Sequence, residues 1–253
     1  MKPNPNPTNR PTFLIADIHL QPDDAHPINQ AFHQFLTTHA QQAAALYILG
    51  DCFEMWVGDD VGCKVYGKTL SLFKELTAKG LPIYMMFGNR DFLMRQRFWQ
   101  ITGISHIKEP GLVKIGDFSA LICHGDGLCT DDIEFQKMRK ILRHPIITWL
   151  FLRLPQKKRI SIGEGMRAKS QKYNLNKAEN IMDVNQQAVE ALFDAHPGVT
   201  HLIHGHTHRA AHHTYELNSQ TFHRWVLGDW RPEMQYLKIQ NGEASLHSWS
   251  PFG

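Results

Sequence analysis

The sequence predicts an α/β fold of packed layers with a helical insertion. Three observations predict it: short apolar runs that each end on a polar residue or glycine, amphipathic stretches between them, and one long stretch, 131–185, that breaks the alternation. Thr12–Ala16 reads as a buried strand ending at Asp17. Asn29 to Ala45 carries helical spacing, with Ile28, Phe32, Phe35 and Leu36 on one side. Leu46–Leu49 is a second strand, ending at Gly50-Asp51, and Thr69–Lys79 is an amphipathic helix closed by Gly80. Pro82–Phe87 is a third strand before Gly88-Asn89, Phe118–Cys123 a fourth before His124, and Val199–Ile203 a fifth before His204. From Tyr215 onward the tail reads as hairpin strands, with a turn at Asn241-Gly242.

A chain of 253 residues suits a single α/β domain, 1–253, with room for an insertion. Its 42% hydrophobic and 20% charged residues are those of a globular protein rather than a disordered one. No apolar run is long enough to span a bilayer. Met1 to Pro11 reads as a polar, flexible lead and not a signal peptide, because no apolar stretch follows it. Cys52, Cys63, Cys123 and Cys129 lack CxxC spacing and read as free thiols in a reducing compartment. Charge is unevenly placed. Residues 135–178 hold twelve Lys/Arg against the single acid Glu164, which leaves the rest of the +3 chain at −8. Such a segment is either a solvated basic face or the docking face for an anionic partner.

The chemistry sits at the strand ends: Asp17-Ile18-His19, Gly50-Asp51, Gly88-Asn89-Arg90-Asp91, His124-Gly125-Asp126 and His204-Gly205-His206-Thr207-His208. Singly, each is a common turn. Together, at one edge of one sheet, they supply carboxylate, amide and imidazole groups where open α/β sheets form their sites. Mixed oxygen and imidazole donors suit Mn, Fe, Zn or Ni better than Mg or Ca. Seven donors exceed one open site but serve two ions about 4 Å apart that share a carboxylate.

This ordered set resembles the five signature blocks of the calcineurin-like metallophosphoesterases: D-x-H, GD, GN, a single His, and GHxH. The resemblance covers residues 12 to about 210. It implies a layered fold, a β-sheet sandwich flanked by helices, with a helical cap at about 131–185. By the same resemblance Asp17, His19 and His206 hold one metal, Asp51 bridges, and Asn89, His124 and His204 hold the other. Most of that family follows Gly-Asn with histidine, whereas this chain has Arg90. Arginine is a poor proton donor but a good bidentate phosphate ligand, which favours a diphosphate substrate with a stable leaving group. The alternative is a structural ion pair between Arg90 and Asp91.

Longer blocks narrow the resemblance. Leu49–Asp60 (LGDCFEMWVGDD), Gly88–Phe92 (GNRDF), His124–Asp132 (HGDGLCTDD) and Ile203–Arg209 (IHGHTHR) look like the branch that hydrolyses UDP-2,3-diacylglucosamine in lipid A assembly. That branch implies two Mn2+ ions and water attack at the α-phosphate. It also implies substrate contacts from Asn89, Arg90, Asp132, Ser170, Asn174, Lys177 and His204, with Asp51, Asn89, Arg90 and His124 as catalytic groups. Ser170, Asn174 and Lys177 fall on one helical face by their spacing. The apolar residues Trp149, Leu150, Phe151, Leu152, Leu154, Ile160 and Ile162 either line a slot for acyl chains or form ordinary cap core. Their basic neighbours are consistent with peripheral attachment to an anionic leaflet, at the cytoplasmic face of the inner membrane. No nucleic acid is expected as a partner. Rival readings are a phosphoesterase for another nucleotide diphosphate or a phosphodiester, a nuclease using the basic segment, and a non-catalytic module that keeps the fold.

Overall fold

Two sheets carry the strands, as the expected β-sheet sandwich requires, and the site-bearing strand ends, read as one edge of one sheet, are divided between them. The computed structural model describes residues 10–175, 183–217, 219–231 and 233–251, with 171–175 described by backbone only. Most of the expected N-terminal lead therefore lies outside the described residues. In the first sheet β1 (Thr12–Ile15), β2 (Ala45–Ile48), β3 (Ile83–Met85) and β4 (Ser105–His106) run parallel. The tail returns to it: β10 (Met234–Gln240) pairs antiparallel with β1, and β11 (Glu243–Trp249) with β10. The second sheet has the order β5-β6-β7-β9-β8, formed by β5 (Gly111–Ile115), β6 (Phe118–Cys123), β7 (His201–His204), β9 (Gln220–Val226) and β8 (Ala211–Leu217). An apolar run marks a buried strand but does not name its hydrogen-bonding neighbour, which is why the site-bearing strand ends read as one edge of one sheet.

The side-chain period of two sorts each strand between two cores. Phe13 and Ile15 of β1 face outward onto α1 (Pro27–Thr38) and α3 (Gly67–Ala78), where they meet Phe32, Phe35 and Phe73. Leu14 and Ala16 face inward and pack with Ile122, Ile203 and Leu237 between the sheets. On the second sheet's outer face Leu121, Cys123 and Leu202 meet Val189 and Phe193 of α8 (Gln186–Asp194). The result is four layers, helix–sheet–sheet–helix. Asn185 caps α8 by accepting from the Ala188 N–H at 3.1 Å, a contact that stabilises it by about 1 kcal/mol.

Two boundaries differ from the pattern. The helix expected to reach Ala45 stops at Thr38, where the Thr37 and Thr38 hydroxyls donate to the carbonyls of His33 and Gln34, and a single 3-10 turn follows. The short strands β4 and β5 were not anticipated, because β4 is exposed and polar and β5 exposes Leu112 and Lys114.

The stretch 131–185 is helical as far as it is described. It holds α5 (Ile133–Leu142), α6 (Pro145–Leu152) and α7 (Gln156–Leu175), with the break at Pro155. Its apolar residues divide. Phe151 and Leu152 pack against the outer core, while Trp149 and Leu150 are more than half exposed at 54% and 51%. Its cations divide too. Arg139 and Arg143 both reach the buried Asp126 at 2.7 Å, and Arg159 pairs with Asp60, whereas Lys137, Lys140, Lys157 and Lys158 are exposed.

Candidate metal centre

The loops leaving β1, β2, β3, β6 and β7 meet at the seam where the two sheets face each other. Backbone ties hold them: the Asp17 N–H donates to Gly50 O at 3.2 Å, the His19 N–H to Asp51 O at 3.1 Å, and the Gly205 N–H to His124 O at 2.9 Å. Two bonds stitch sheet to sheet. The His124 Nδ1–H donates to Leu49 O at 2.8 Å, and the His206 N–H to Asp17 Oδ2 at 2.8 Å. Asp17, His19, Asp51, His206 and His208 all sit at positive φ, between 51° and 70°. Five non-glycine residues in the left-handed region within one site is backbone strain held by surrounding structure, as is common where side chains are aimed at chemistry.

The donors fall into two groups. Ligating atoms of Asp17, His19 and His208 lie within 4.8 Å of one another, as do those of Asp17, Asp51 and His124. Asn89 Oδ1 stands 3.0 Å from His124 Nε2, and Asp51 Oδ2 3.8 Å from it. Asp17 and Asp51 are buried, and Asp17 Oδ1 and His19 Nδ1 make no well-formed hydrogen bond, each having only a long contact at 3.4 Å, to His208 Nε2 and Glu54 Oε2. Buried anionic oxygens and imidazoles left short of partners are what divalent cations complete, so the donor set fits a metal pair.

The histidine register differs from the expectation. His208 Nε2, not a nitrogen of His206, stands 3.4 Å from both Asp17 Oδ1 and His19 Nε2. His206 instead lays its ring 5.1 Å from that of His124. His204 has both nitrogens engaged, Nδ1 at 2.8 Å from Gly205 O and Nε2 at 3.2 Å from the buried Arg224. The reason is local. His204 is the last residue of β7, paired with Cys123 and Val226, and its ring is held by Gly205 O and by Arg224 of the neighbouring β9. Only beyond it does the chain turn, through positive φ at His206 and His208, towards the seam. The spacing of the Gly-His-x-His block, which fits Gly205–His208, carried this information.

Of the remaining expected residues, Arg90 sits at the centre's rim. Its guanidinium pairs with Glu54 at 2.9 Å and not with Asp91, whose carboxylate accepts from the Gly88 and Cys52 N–H groups at 2.7 and 2.9 Å. Asp132 caps α5, accepting from the Phe135 N–H at 3.0 Å. Ser170 is half-buried on α7. Asn174 lies on α7 by its backbone, and Lys177 is outside the described residues.

Electrostatics agree with a cation-ready site. Burial disfavours charge on His124, but Asp51, Asp17, Asp126 and Glu109 outweigh it and raise its pKa to about 9. Burial, with Asp91 and Asp17 nearby, pushes Asp51 up to about 7. Burial and the neighbouring His124 lower His206 to about 3, so its imidazole is neutral and able to ligate. Below these raised values His124 and Asp51 carry protons that a metal has to displace. Mn2+ affinity of the metal-free protein is therefore expected to rise between pH 6 and 9, roughly tenfold per pH unit for each proton displaced. Calorimetry in buffers of different ionisation enthalpy checks this; an affinity flat across that range, with no proton release, would show that neither group holds a proton for the metal to displace.

The calcineurin-like phosphoesterase family matches residues 10–210. UDP-2,3-diacylglucosamine hydrolases of Yersinia pseudotuberculosis (serotype O:1b) and Yersinia pestis are each 44% identical over 235 residues, which is 93% of this chain and 97% of the relative. Among solved structures, a dimetal phosphatase from Danio rerio is similar at 13% identity and a TM-score of 0.49, over 94% of this chain and 95% of that one.

Proposed function

The chain belongs to the calcineurin-like phosphoesterases and, within them, to the family of the UDP-2,3-diacylglucosamine hydrolases, and we propose that it hydrolyses UDP-2,3-diacylglucosamine. Water attacks the α-phosphate, giving UMP and 2,3-diacylglucosamine 1-phosphate for lipid A biosynthesis. The observation that carries this reading is the convergence of Asp17, His19, Asp51, Asn89 and His124 at the seam, with Arg90 held beside them.

The family uses a dinuclear divalent metal site, and Mn2+ is the proposed ion. Asp17, His19 and His208 would hold one ion; Asn89, His124 and His206 the other; Asp51 stands between. When bound, the pair would supply an acidified water and would neutralise phosphoryl charge. Arg90 offers a fixed, always-charged fork to the phosphate oxygens. It need not give a proton, because the leaving sugar phosphate is already stable as an anion. Asp132, set by its capping bond, and Ser170, Asn174 and Lys177 are proposed to meet the sugar and nucleotide. His204, with both nitrogens taken, is left outside the ligand set.

The segment 131–185 is proposed as the cap. Ile133, Ile141, Ile146, Trp149 and Leu150 expose apolar surface on α5 and α6, beside the exposed Lys137, Lys140, Lys157 and Lys158. That pairing suits attachment to an anionic leaflet, each lysine contributing roughly 1 kcal/mol near the surface. Among the described residues no helix is long and apolar enough to cross a membrane, so attachment through these helices is peripheral. The test is hydrolysis of UDP-2,3-diacylglucosamine by Mn2+-loaded protein, with mass spectrometry of products and co-sedimentation with phosphatidylglycerol vesicles. UMP and the acylated sugar 1-phosphate are expected. Turnover confined to soluble UDP-sugars or simple phosphodiesters would overturn the substrate assignment.

A further inference from the structure

Glu54 lies six residues beyond the end of β2, is 5% exposed, and touches four groups. Its Oε1 accepts a hydrogen bond from the Arg90 guanidinium at 2.9 Å and forms an ion pair, without hydrogen-bond geometry, with the Arg167 guanidinium of α7 at 2.7 Å. Its Oε2 faces His19 Nδ1 at 3.4 Å and the Gln21 side-chain amide at 3.5 Å. One buried carboxylate thus contacts the phosphate clamp, a metal-site imidazole and the helical cap.

The contact with α7 is part of a longer seam. Arg159, Gly163 and Arg167 recur at intervals of four and so lie on one face of the helix. Arg159 donates to Val57 O and pairs with Asp60. Gly163 lets the helix backbone approach Met55 and Val57, since a Cβ there would come within 2.6 Å of Met55 Sδ and 3.0 Å of Val57 Cγ1. Arg167 then closes on Glu54. The helix is therefore docked, turn by turn, on the loop that follows Asp51, and Ser170 comes three residues later on the same face. Two guanidinium groups on one carboxylate also leave a net positive charge at the rim, suited to a diphosphate.

We infer that Glu54 is a positioning residue: it aims Arg90 and latches α7, through Arg167, to the metal-bearing loop. The inference rests on the proposed hydrolase reading for the role of Arg90, but the latch itself does not. Carboxylates behind site residues commonly change affinity or activity 10- to 100-fold when removed.

The experiment uses Mn2+-loaded full-length protein and the variants Glu54→Gln, Glu54→Asp, Arg167→Met and the double variant Glu54→Gln/Arg167→Met. Hydrogen exchange of the α7 amides is measured beside kcat and KM for UDP-2,3-diacylglucosamine, with bis-p-nitrophenyl phosphate as a small substrate that does not need the helix. Glu54→Gln and Arg167→Met are each expected to speed α7 exchange. Arg167→Met should also raise KM for the large substrate about tenfold while changing turnover of the small one far less, whereas Glu54→Gln should lower turnover of both, because Arg90 loses its support. Glu54→Asp should restore part of both. The double variant should be no worse than Glu54→Gln in α7 exchange, because one latch is removed once. Unchanged α7 exchange in Glu54→Gln, or losses that simply multiply in the double variant, would overturn the inference. If wild-type protein failed to turn over the acylated substrate, the hydrolase reading would fall while the exchange arm still judged the latch.

Discussion

Replacing Asp51 with alanine is expected to lower kcat/KM by on the order of 10^3-fold, with loss of bound metal. The carboxylate lies between the donor groups. Oδ1 accepts from the Arg90 N–H at 2.8 Å, and Oδ2 faces His124 Nε2 at 3.8 Å and Arg90 Nε at 4.0 Å. Its removal takes away the charge that two cations would share and leaves the Arg90 N–H without its acceptor. Asp51→Asn separates these effects, since the amide oxygen keeps the Arg90 bond but not the charge. Steady-state kinetics and metal content by mass spectrometry are the measurements. An asparagine variant that retained two metals and full activity would show that Asp51 is not the bridging ligand.

Gly88→Ala is expected to be nearly as damaging, by sterics alone. A Cβ at Gly88 would fall on the Asp51 carboxylate and backbone nitrogen, closer than non-bonded atoms approach. Neither neighbour can yield: the carboxylate is held by Arg90, and the backbone belongs to the loop that positions the centre. Overpacking of this kind costs about 3 kcal/mol, roughly a 10 °C fall in melting temperature for a chain of this size. Activity should fall with it even below the new melting temperature, because the displaced atom is the central carboxylate. Differential scanning calorimetry and kinetics at 20 °C check both halves. An alanine variant with wild-type melting and rate would mean that the close approach of these loops is not required.

The legible parts of this protein are those set by short-range patterns. Apolar runs located β1, β2, β3, β6 and β7 to within a residue or two, because burial on both faces demands continuous hydrophobicity. Asp17, His19, Asp51, Asn89 and His124 were legible as a set, because each follows such a run. Arg90 stood out as a cation where a histidine is usual. Less legible were residues whose role depends on a partner distant in sequence. Glu54 looks like any acid in a loop until Arg90 and Arg167 are brought to its two sides. Arg139 and Arg143 counted towards a basic surface, yet both converge on Asp126.

The histidine run shows the division most sharply. His204, His206 and His208 alternate at a period of two, and any two of them satisfy a spacing rule. The backbone decides between them: β7 pairing holds His204 in the sheet against Arg224, and the left-handed turns at His206 and His208 swing those rings to the seam. Composition and motif by themselves determined the layered class, the family and most of the side chains that gather at the seam, because these follow from local burial and from residue type. Which strands share a sheet, which histidine meets Asp17, and which cations meet Glu54 were decided only by the tertiary structure. They depend on hydrogen bonds and ion pairs between segments far apart in the chain, and no local pattern encodes a partner that distant.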